Sequence, residues 1–155
     1  MRGVLNISEA FSLALHSAAL VAAEGEGGRA TARSLAATLG ASEAHLSKVL
    51  QKLVRAGILR STRGPGGGFS LARPGGDVSL MEVYESVEGP FRPADCLAAA
   101  RVCRGEECVF GSLLEKVNGG FRDYLETTTV EDIGKIPGRG GGIDKKDRAD
   151  RRGEM

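Results

Sequence analysis

The chain has no tryptophan, and its aromatic residues are only five Phe and two Tyr. β-Sandwiches rely heavily on aromatic and β-branched side chains. Here Ala and Leu dominate the apolar set, which favours small helices packed closely. Long hydrophobic runs are also missing. The longest, Ala10 to Ala23, has 14 residues, against the roughly 20 that a membrane helix needs. Its end, Val21-Ala22-Ala23, has the small residues of a signal-peptide cleavage site, but a flank with one arginine, together with Glu9 and His16, argues against that reading. Histidine is scarce: His16 and His45 are the only two. With no phosphate-loop motif and no paired nucleophile and base, the residues give no support to an enzyme. The three cysteines are an odd number with no secretory context. That counts against a disulfide framework and for a metal or redox role in the cytosol.

Net charge is close to absent as well, at +1 over 155 residues. The near-neutral total hides an asymmetry. Residues 29 to 73 carry eight Lys/Arg against one acid, Glu43, whereas residues 74 to 137 carry six against twelve acids. A basic half joined to an acidic half is the pattern of a polyanion-binding module attached to something else. The length is that of one domain with one real core.

Taken in order, Ser8 to Ala23 reads as an amphipathic helix with Ser8 as N-cap. Phe11, Ala14, Leu15, Ala18, Val21 and Ala22 form its apolar stripe, and the Gly-rich 24–28 segment stops it. Thr31 to Leu39 is a short helix ending at Gly40. Ser42 then opens another that runs to Ala56, with Leu46, Val49, Leu50, Leu53 and Val54 inward and Glu43, Ser47, Lys48, Gln51, Lys52 and Arg55 outward. Residues 57–74, GILRSTRGPGGGFSLARP, place two apolar runs around a turn of one proline and four glycines, which predicts a β-hairpin. Its tip is expected to carry Arg60, Arg63 and Arg73 and no acid. Taken singly, the basic helix face and the Gly-rich turn read equally well as solvated surface. Helix, turn, basic helix and then an Arg-bearing hairpin is, however, the order of a winged helix-turn-helix.

Ser79 with Glu82 forms a capping box for a helix with stripe Leu80, Val83, Tyr84 and Val87, ended by Gly89-Pro90. Residues 91–109 form a cysteine-bearing loop. Phe110, Leu113, Leu114, Val117, Phe121, Tyr124 and Leu125 then follow at near-heptad spacing. That predicts a helix with one apolar seam, open to the same helix of a second subunit, and Gly119-Gly120 marks an expected kink. From Gly138 onward the residues are almost all polar, so a disordered tail is expected.

The cysteines Cys96, Cys103 and Cys108 are spaced C-x6-C-x4-C within 13 residues. A loop folding back on itself brings such thiolates to one metal centre, with a fourth ligand from elsewhere. The spacing lacks the C-x2-C of a zinc knuckle, without excluding zinc. Arg101 and Arg104 would favour the thiolate form. Burial as three small apolar residues is the remaining alternative.

At this point the chain resembles the Rrf-type winged-helix transcription regulators, the family that includes the IscR, NsrR and CymR groups. The residues that carry the resemblance are RGPGGGFSLARP (63–74), DVSLMEVYESVEGP (77–90), the three-cysteine loop and Thr128-Thr129-Val130. It covers roughly residues 4–133. The resemblance implies a homodimer joined through the Phe110–Leu125 helix, an iron–sulfur cluster (2Fe–2S or 4Fe–4S) on Cys96, Cys103 and Cys108, and a palindromic double-stranded DNA operator. Arg63 matches the wing arginine that enters the minor groove in the IscR group. Ser47 stands where that group has a base-contacting glutamate, so a different operator is implied. Gly111 stands where the IscR group has its histidine ligand, so that ligand is absent here. Some relatives instead take ligands from the first helix, where His16 falls on the histidine position and Ser12 on the acidic one. His16 is therefore the leading fourth ligand, with Glu9, Glu107 or a ligand from a second subunit as alternatives.

The reading as a whole is a mainly α fold with a small β-hairpin: a winged helix-turn-helix plus a long C-terminal dimerisation helix. Residues 1–76 would bind DNA, 77–133 would hold the sensor loop and dimer helices, and 134–155 the tail. Ser42 and Ser47 would lie against bases, Lys48, Lys52 and Arg55 against phosphates, and Arg63, Gly66 and Gly67 along the minor groove. The expected function is that of a cytoplasmic regulator, read as a repressor, with no membrane association. A thiol or zinc switch on the same fold, or a winged-helix module that docks an acidic protein, are the competing readings.

Overall fold

In the computed structural model, residues 7–96, 103, 108 and 110–135 are described. Helix α1 (Glu9–Ala23) begins as its sequence dictates. The Ser8 hydroxyl accepts a hydrogen bond from the Phe11 amide at 3.0 Å, satisfying one of the free donors of the first turn. Its buried face is wider than a single stripe: Phe11, Leu13, Ala14, Ser17, Ala18, Ala19 and Val21 are all buried, while Leu15 and Ala22 are half-buried. The reason is tertiary. α1 is packed on several sides, and its run of alanines lets neighbouring backbones come close.

Helix α2 (Ala32–Leu39) opens on a reciprocal capping box between Thr31 and Ser34 and closes at Gly40, whose φ of +65° suits a residue without a Cβ. Helix α3 (Glu43–Arg55) is capped by Ser42 and buries Leu46, Val49, Leu50 and Leu53. The hairpin follows: β1 (Leu59–Thr62) pairs antiparallel with β2 (Gly68–Leu71), in register from Leu59↔Leu71 to Thr62↔Gly68. One addition was not anticipated. Ala30 pairs with Phe69 through two backbone hydrogen bonds of 3.0 and 2.8 Å, giving the hairpin a third edge. A single paired residue leaves no periodic trace in the sequence.

A 3₁₀ turn (Gly75–Asp77) leads to helix α4 (Leu80–Glu88), where Ser79 and Glu82 form the expected capping box. Helix α5 (Gly111–Thr127) runs unbroken through Gly119 and Gly120, where a kink was expected. The last element, α6 (Val130–Gly134), was not foreseen; at five residues it is shorter than any periodic window. It buries Val130 and Ile133 against α1, and its approach is fixed by backbone bonds from Leu80 to the Thr128 carbonyl and from Val130 to the Val78 carbonyl, both 2.9 Å. α1, α3, α4, α6 and the hairpin share one core, in which Leu46, Leu50, Leu53, Ile58, Leu59 and Leu80 are almost wholly excluded from solvent. Each such side chain contributes about 1.5–3 kcal/mol.

The seam on α5 needs correction. It is two faces rather than one. Leu114, Phe121 and Leu125 turn toward this chain's own core, Leu114 and Leu125 fully buried, whereas Phe110, Leu113 and Tyr124 remain 49%, 49% and 56% exposed. Near-heptad spacing could not separate residues that serve the chain's own core from residues left free.

Arg73 is also not at the hairpin tip. It lies beyond β2, donating to the Asp77 carbonyl at 2.7 Å and pairing with the Glu82 carboxylate. Partial burial pushes the Glu82 carboxyl up. Hydrogen bonds from Arg73 and Ser79, with the Arg73 charge, outweigh that and leave it below the ordinary carboxylate value. A depressed folded-state value means that this stabilisation is present above the unfolded carboxylate range and is lost as pH falls through the folded one. Glu82→Gln should therefore melt below wild type at pH 7, with the two curves converging in acid. A gap in melting temperature that persists undiminished to pH 2 would exclude the ion pair as its source. Ser17 offers a second check. Its hydroxyl is fully buried and has no hydrogen-bond partner among the described residues. An unsatisfied buried group costs about 1–3 kcal/mol. Ser17→Ala is expected to raise the melting temperature; a fall would show that the hydroxyl is satisfied in solution.

Candidate nucleic-acid interface

The outward face of α3 follows from its cap and its spacing. Ser42 spends its hydroxyl on the His45 amide at 3.1 Å, and Ser47 is half-buried. Lys48 and Arg55 are exposed, and neither forms an ion pair among the described residues. The one acid of this helix, Glu43, sits in its first turn, where a negative charge suits the helix dipole, and lies 3.7 Å from Arg33 of α2. Both partners are largely exposed, so that pair contributes little. Lys52 is placed differently from the expectation. Its ammonium donates to the Val87 carbonyl in the last turn of α4 at 3.3 Å, which ties α3 to α4. Gln51 is exposed as expected, and exposed His45, which the sequence did not place on this face, completes the surface.

The hairpin makes the second part. Arg63 is exposed and has no side-chain partner among the described residues. The tip beyond it is built so that only glycine fits at two successive positions: Gly66 has φ +71°, and a Cβ on Gly67 would lie 2.3 Å from the Thr62 carbonyl oxygen. Arg60 lies within β1 rather than at the tip. Arg29, from the loop between α1 and α2, donates from Nη1 to the Gly66 carbonyl at 2.8 Å. Sequence reasoning missed this residue, because nothing local marks an arginine 37 positions from its partner. Ser42, Ser47, Lys48 and Arg55 thus share α3, while Arg63, Gly66 and Gly67 share the hairpin tip.

The cysteine loop starts from a fixed point. Tyr84 is buried and packs edge-on against Phe11, Phe91 and Phe121, with centroids 5.1, 5.8 and 6.0 Å away, and Arg122 sits 5.1 Å over the Phe91 ring. Burial raises the Tyr84 phenol, and Glu88 and Glu85 raise it further, so it stays neutral. Asn118 of α5 donates to the Ala94 carbonyl at 2.7 Å and holds the chain two residues before Cys96. All three thiols are free; Cys103 is exposed, and Cys96 and Cys108 are half-buried. The residues between them fall outside those described, Arg101, Arg104 and Glu107 included, as does the tail from 136 onward. His16 holds its Nδ1 2.7 Å from the Ser12 carbonyl, one turn back in α1, which leaves Nε2 as the nitrogen available to a ligand.

Thiolates are soft donors and suit iron–sulfur chemistry. The expected convergence is not seen. Among the described residues no group of three or more His, Cys, Asp or Glu side chains is gathered to hold a metal, so Cys96, Cys103, Cys108 and His16 do not form a site in this structure. No helix among the described residues is long and apolar enough to cross a membrane.

Known proteins agree with this architecture. Residues 7–135 match the Rrf2 family, described as "Iron-dependent Transcriptional regulator". The chain is similar to the protein aau3 of Rhizobium meliloti, at 34% identity over 103 residues, covering 65% of this chain and 67% of that one. It spans about two thirds of the length of the curated relatives it matches. Among solved structures it resembles CymR, the global cysteine regulator of B. subtilis, with a TM-score of 0.69 and 27% identity, covering 84% of this chain and 96% of that one. It also resembles T. potens IscR, with a TM-score of 0.60 and 26% identity over 83% of this chain and 85% of the other. A winged helix-turn-helix with this succession of helices, matched along almost its whole described length, places the chain in the Rrf2 family of transcriptional regulators rather than among enzymes.

Proposed function

We propose that this chain is a cytoplasmic, homodimeric repressor whose affinity for a palindromic operator is set by the chemistry of Cys96, Cys103 and Cys108. The observation that carries the reading is the pairing of an unneutralised basic surface on α3 and the hairpin with three free thiols, the first of them two residues after the Ala94 carbonyl that Asn118 of α5 holds. Residues 1–76 would supply the DNA contacts and 77–133 the sensor and the dimer. The N-terminal end of α3, with Ser42 and Ser47, enters the major groove, while Lys48 and Arg55 meet phosphates. Lys52 donates one N–H to the Val87 carbonyl and keeps two for a phosphate. Arg63, with Gly66 and Gly67, follows the minor groove.

The wing assignment is tested by measuring binding to genomic fragments selected with the wild-type protein. Arg63→Ala should weaken binding by about 10-fold, and Lys48→Ala should lower the slope of log K against log salt by about one. Wild-type affinity in Arg63→Ala would remove the hairpin from the interface.

Dimerisation would use the outer face of α5. Phe110, Val117 and Tyr124 recur every seven residues, with Leu113 between them, and Phe110, Leu113 and Tyr124 are about half exposed. Replacing Leu113 and Tyr124 with Glu should yield a folded monomer by sedimentation, since neither is needed by the core. A dimer that survives both changes would place the interface elsewhere.

Two chemistries fit the thiols. The family description "Iron-dependent" and the soft donor set favour an iron–sulfur cluster (2Fe–2S or 4Fe–4S) held by Cys96, Cys103 and Cys108, with His16 as the fourth ligand. When bound, such a cluster supplies a redox- and nitric-oxide-sensitive centre. The alternative is a cluster-free thiol or zinc switch, favoured by the exposed Cys103 and by the likeness to the cysteine regulator of B. subtilis. Protein purified without air decides between them. Visible absorption with iron and sulfide supports the cluster. A colourless, iron-free protein after reconstitution, with a mass shift on peroxide or bound zinc, supports the switch.

A further inference from the structure

Five consecutive residues at the hairpin tip, Gly64 to Gly68, include four glycines. Glycine loses more conformational freedom on ordering than any other residue, so such a tip does not hold one shape by itself. Beyond the Thr62↔Gly68 pair that ends the ladder, the turn is closed by a backbone bond from the Gly67 amide to the Gly64 carbonyl at 2.9 Å. Among the described residues one side chain reaches it from outside: Arg29, whose Nη1 donates to the Gly66 carbonyl at 2.8 Å.

The approach that brings Arg29 there is itself built. Ala30, its neighbour, is paired to Phe69 by two backbone bonds, and the contact is so close that a Cβ on Gly68 would lie 2.8 Å from the Ala30 oxygen. On the other side, Gly28 is folded against Glu24, where a Cβ would lie 2.4 Å from both the Glu24 Cβ and its carbonyl oxygen. Two glycine-only contacts thus flank the arginine and deliver it to the tip. The guanidinium is exposed and forms no ion pair among the described residues, and one hydrogen bond leaves most of its five N–H groups unused.

We propose that Arg29 is a positioning residue for the wing: by holding the Gly66 carbonyl it fixes the tip, and with it the position from which Arg63 enters the minor groove. The inference rests on the wing reading given above, and it distinguishes two roles for one exposed arginine. A phosphate contact acts independently of Arg63 and contributes to the salt dependence. A brace acts through Arg63 and does not.

The experiment is a double-mutant cycle with Arg29→Ala, Arg63→Ala and both changes. Binding is read on a DNA fragment selected by the wild-type protein, over a range of salt concentrations, together with hydroxyl-radical footprints. Arg29→Ala should weaken binding about 5- to 10-fold in the wild-type background and less than about 2-fold when Arg63 is already alanine, because the two share one interaction. Its salt slope should match wild type, and protection in the minor groove beside the α3 site should fade while major-groove contacts persist. Arg29→Lys, which keeps the charge without the planar fork, should fall between the two. Because Arg29 is exposed, the melting temperature should stay within a few degrees of wild type; should the alanine variant fail to fold, Arg29→Lys carries the cycle. Additive losses, a slope lower by about one, or unchanged affinity would each overturn the brace. Weakened Arg63→Ala with unchanged Arg29→Ala removes only the brace, whereas unchanged Arg63→Ala removes the wing reading and the brace with it.

Discussion

The packing of α1 is the constraint on which the other elements depend. Its alanines at 14, 18 and 19 are almost inaccessible, and α3, α4, α6 and β2 all close on it. Small residues permit that approach, but they also leave little side chain to adjust, so each neighbour has nearly one place to sit. The relative positions of the basic helix and the hairpin follow from this. β2 and α3 both lie on α1, and β1 continues directly from α3 through Gly57, whose φ of +73° turns the chain sharply. The placement of α3 relative to the hairpin is thus set both by their shared packing on α1 and by the direct contact of α3 with β1.

The same packing joins the acidic half to the basic one. Tyr84 of α4 meets Phe11 of α1 on one side and Phe91 and Phe121 on the other, so Phe91 and the middle of α5 are linked through α4 to the helix that also supports α3. Lys52 adds a shorter route. Its ammonium caps a carbonyl in the last turn of α4, where a cation is favoured by the helix dipole. That carbonyl belongs to Val87, only a few residues before the chain enters the cysteine loop. A movement that unwinds or shifts the end of α4 must therefore either break this bond or carry Lys52 with it. This is a direct physical contact between the two halves.

The parts of this fold that could be read from sequence are those determined by neighbours in the chain. Ser8, Ser42 and Ser79 each cap the helix expected of them, and the Gly/Pro turn gives the hairpin. What could not be read was decided at long range. The pairing of Ala30 with Phe69, the reach of Arg29 to Gly66 and the return of α6 to α1 connect residues some 40 to 110 positions apart, on the order of the loop closures that leave no local signature. The α5 residues show the limit most clearly. Leu113 and Leu114 are adjacent and equally apolar, yet one is about half exposed and the other buried. Only knowledge of what lies on each side could have sorted them. For the cysteines the spacing was legible, but convergence is a property of the loop's path, and spacing does not determine it.

Charge gives the last step. Arg73, Lys135 and Arg33 are each matched to a carboxylate within 4 Å, whereas Arg29, Lys48, Arg55 and Arg63 are matched to none among the described residues. Those four fall on the loop before α2, on α3 and on the hairpin tip, while Arg60 on β1 and Lys116 and Arg122 on α5 also have no carboxylate partner among the described residues. The carboxylates of α4 and α5, by contrast, are largely solvated or used as caps. Under the proposed function, a polyanion would be drawn first to α3 and the hairpin tip, where cations outnumber acids. A net charge near zero is compatible with a basic surface because cations and acids are distributed unevenly along the chain. That unevenness also explains why the total of +1 was uninformative while the distribution along the chain was not.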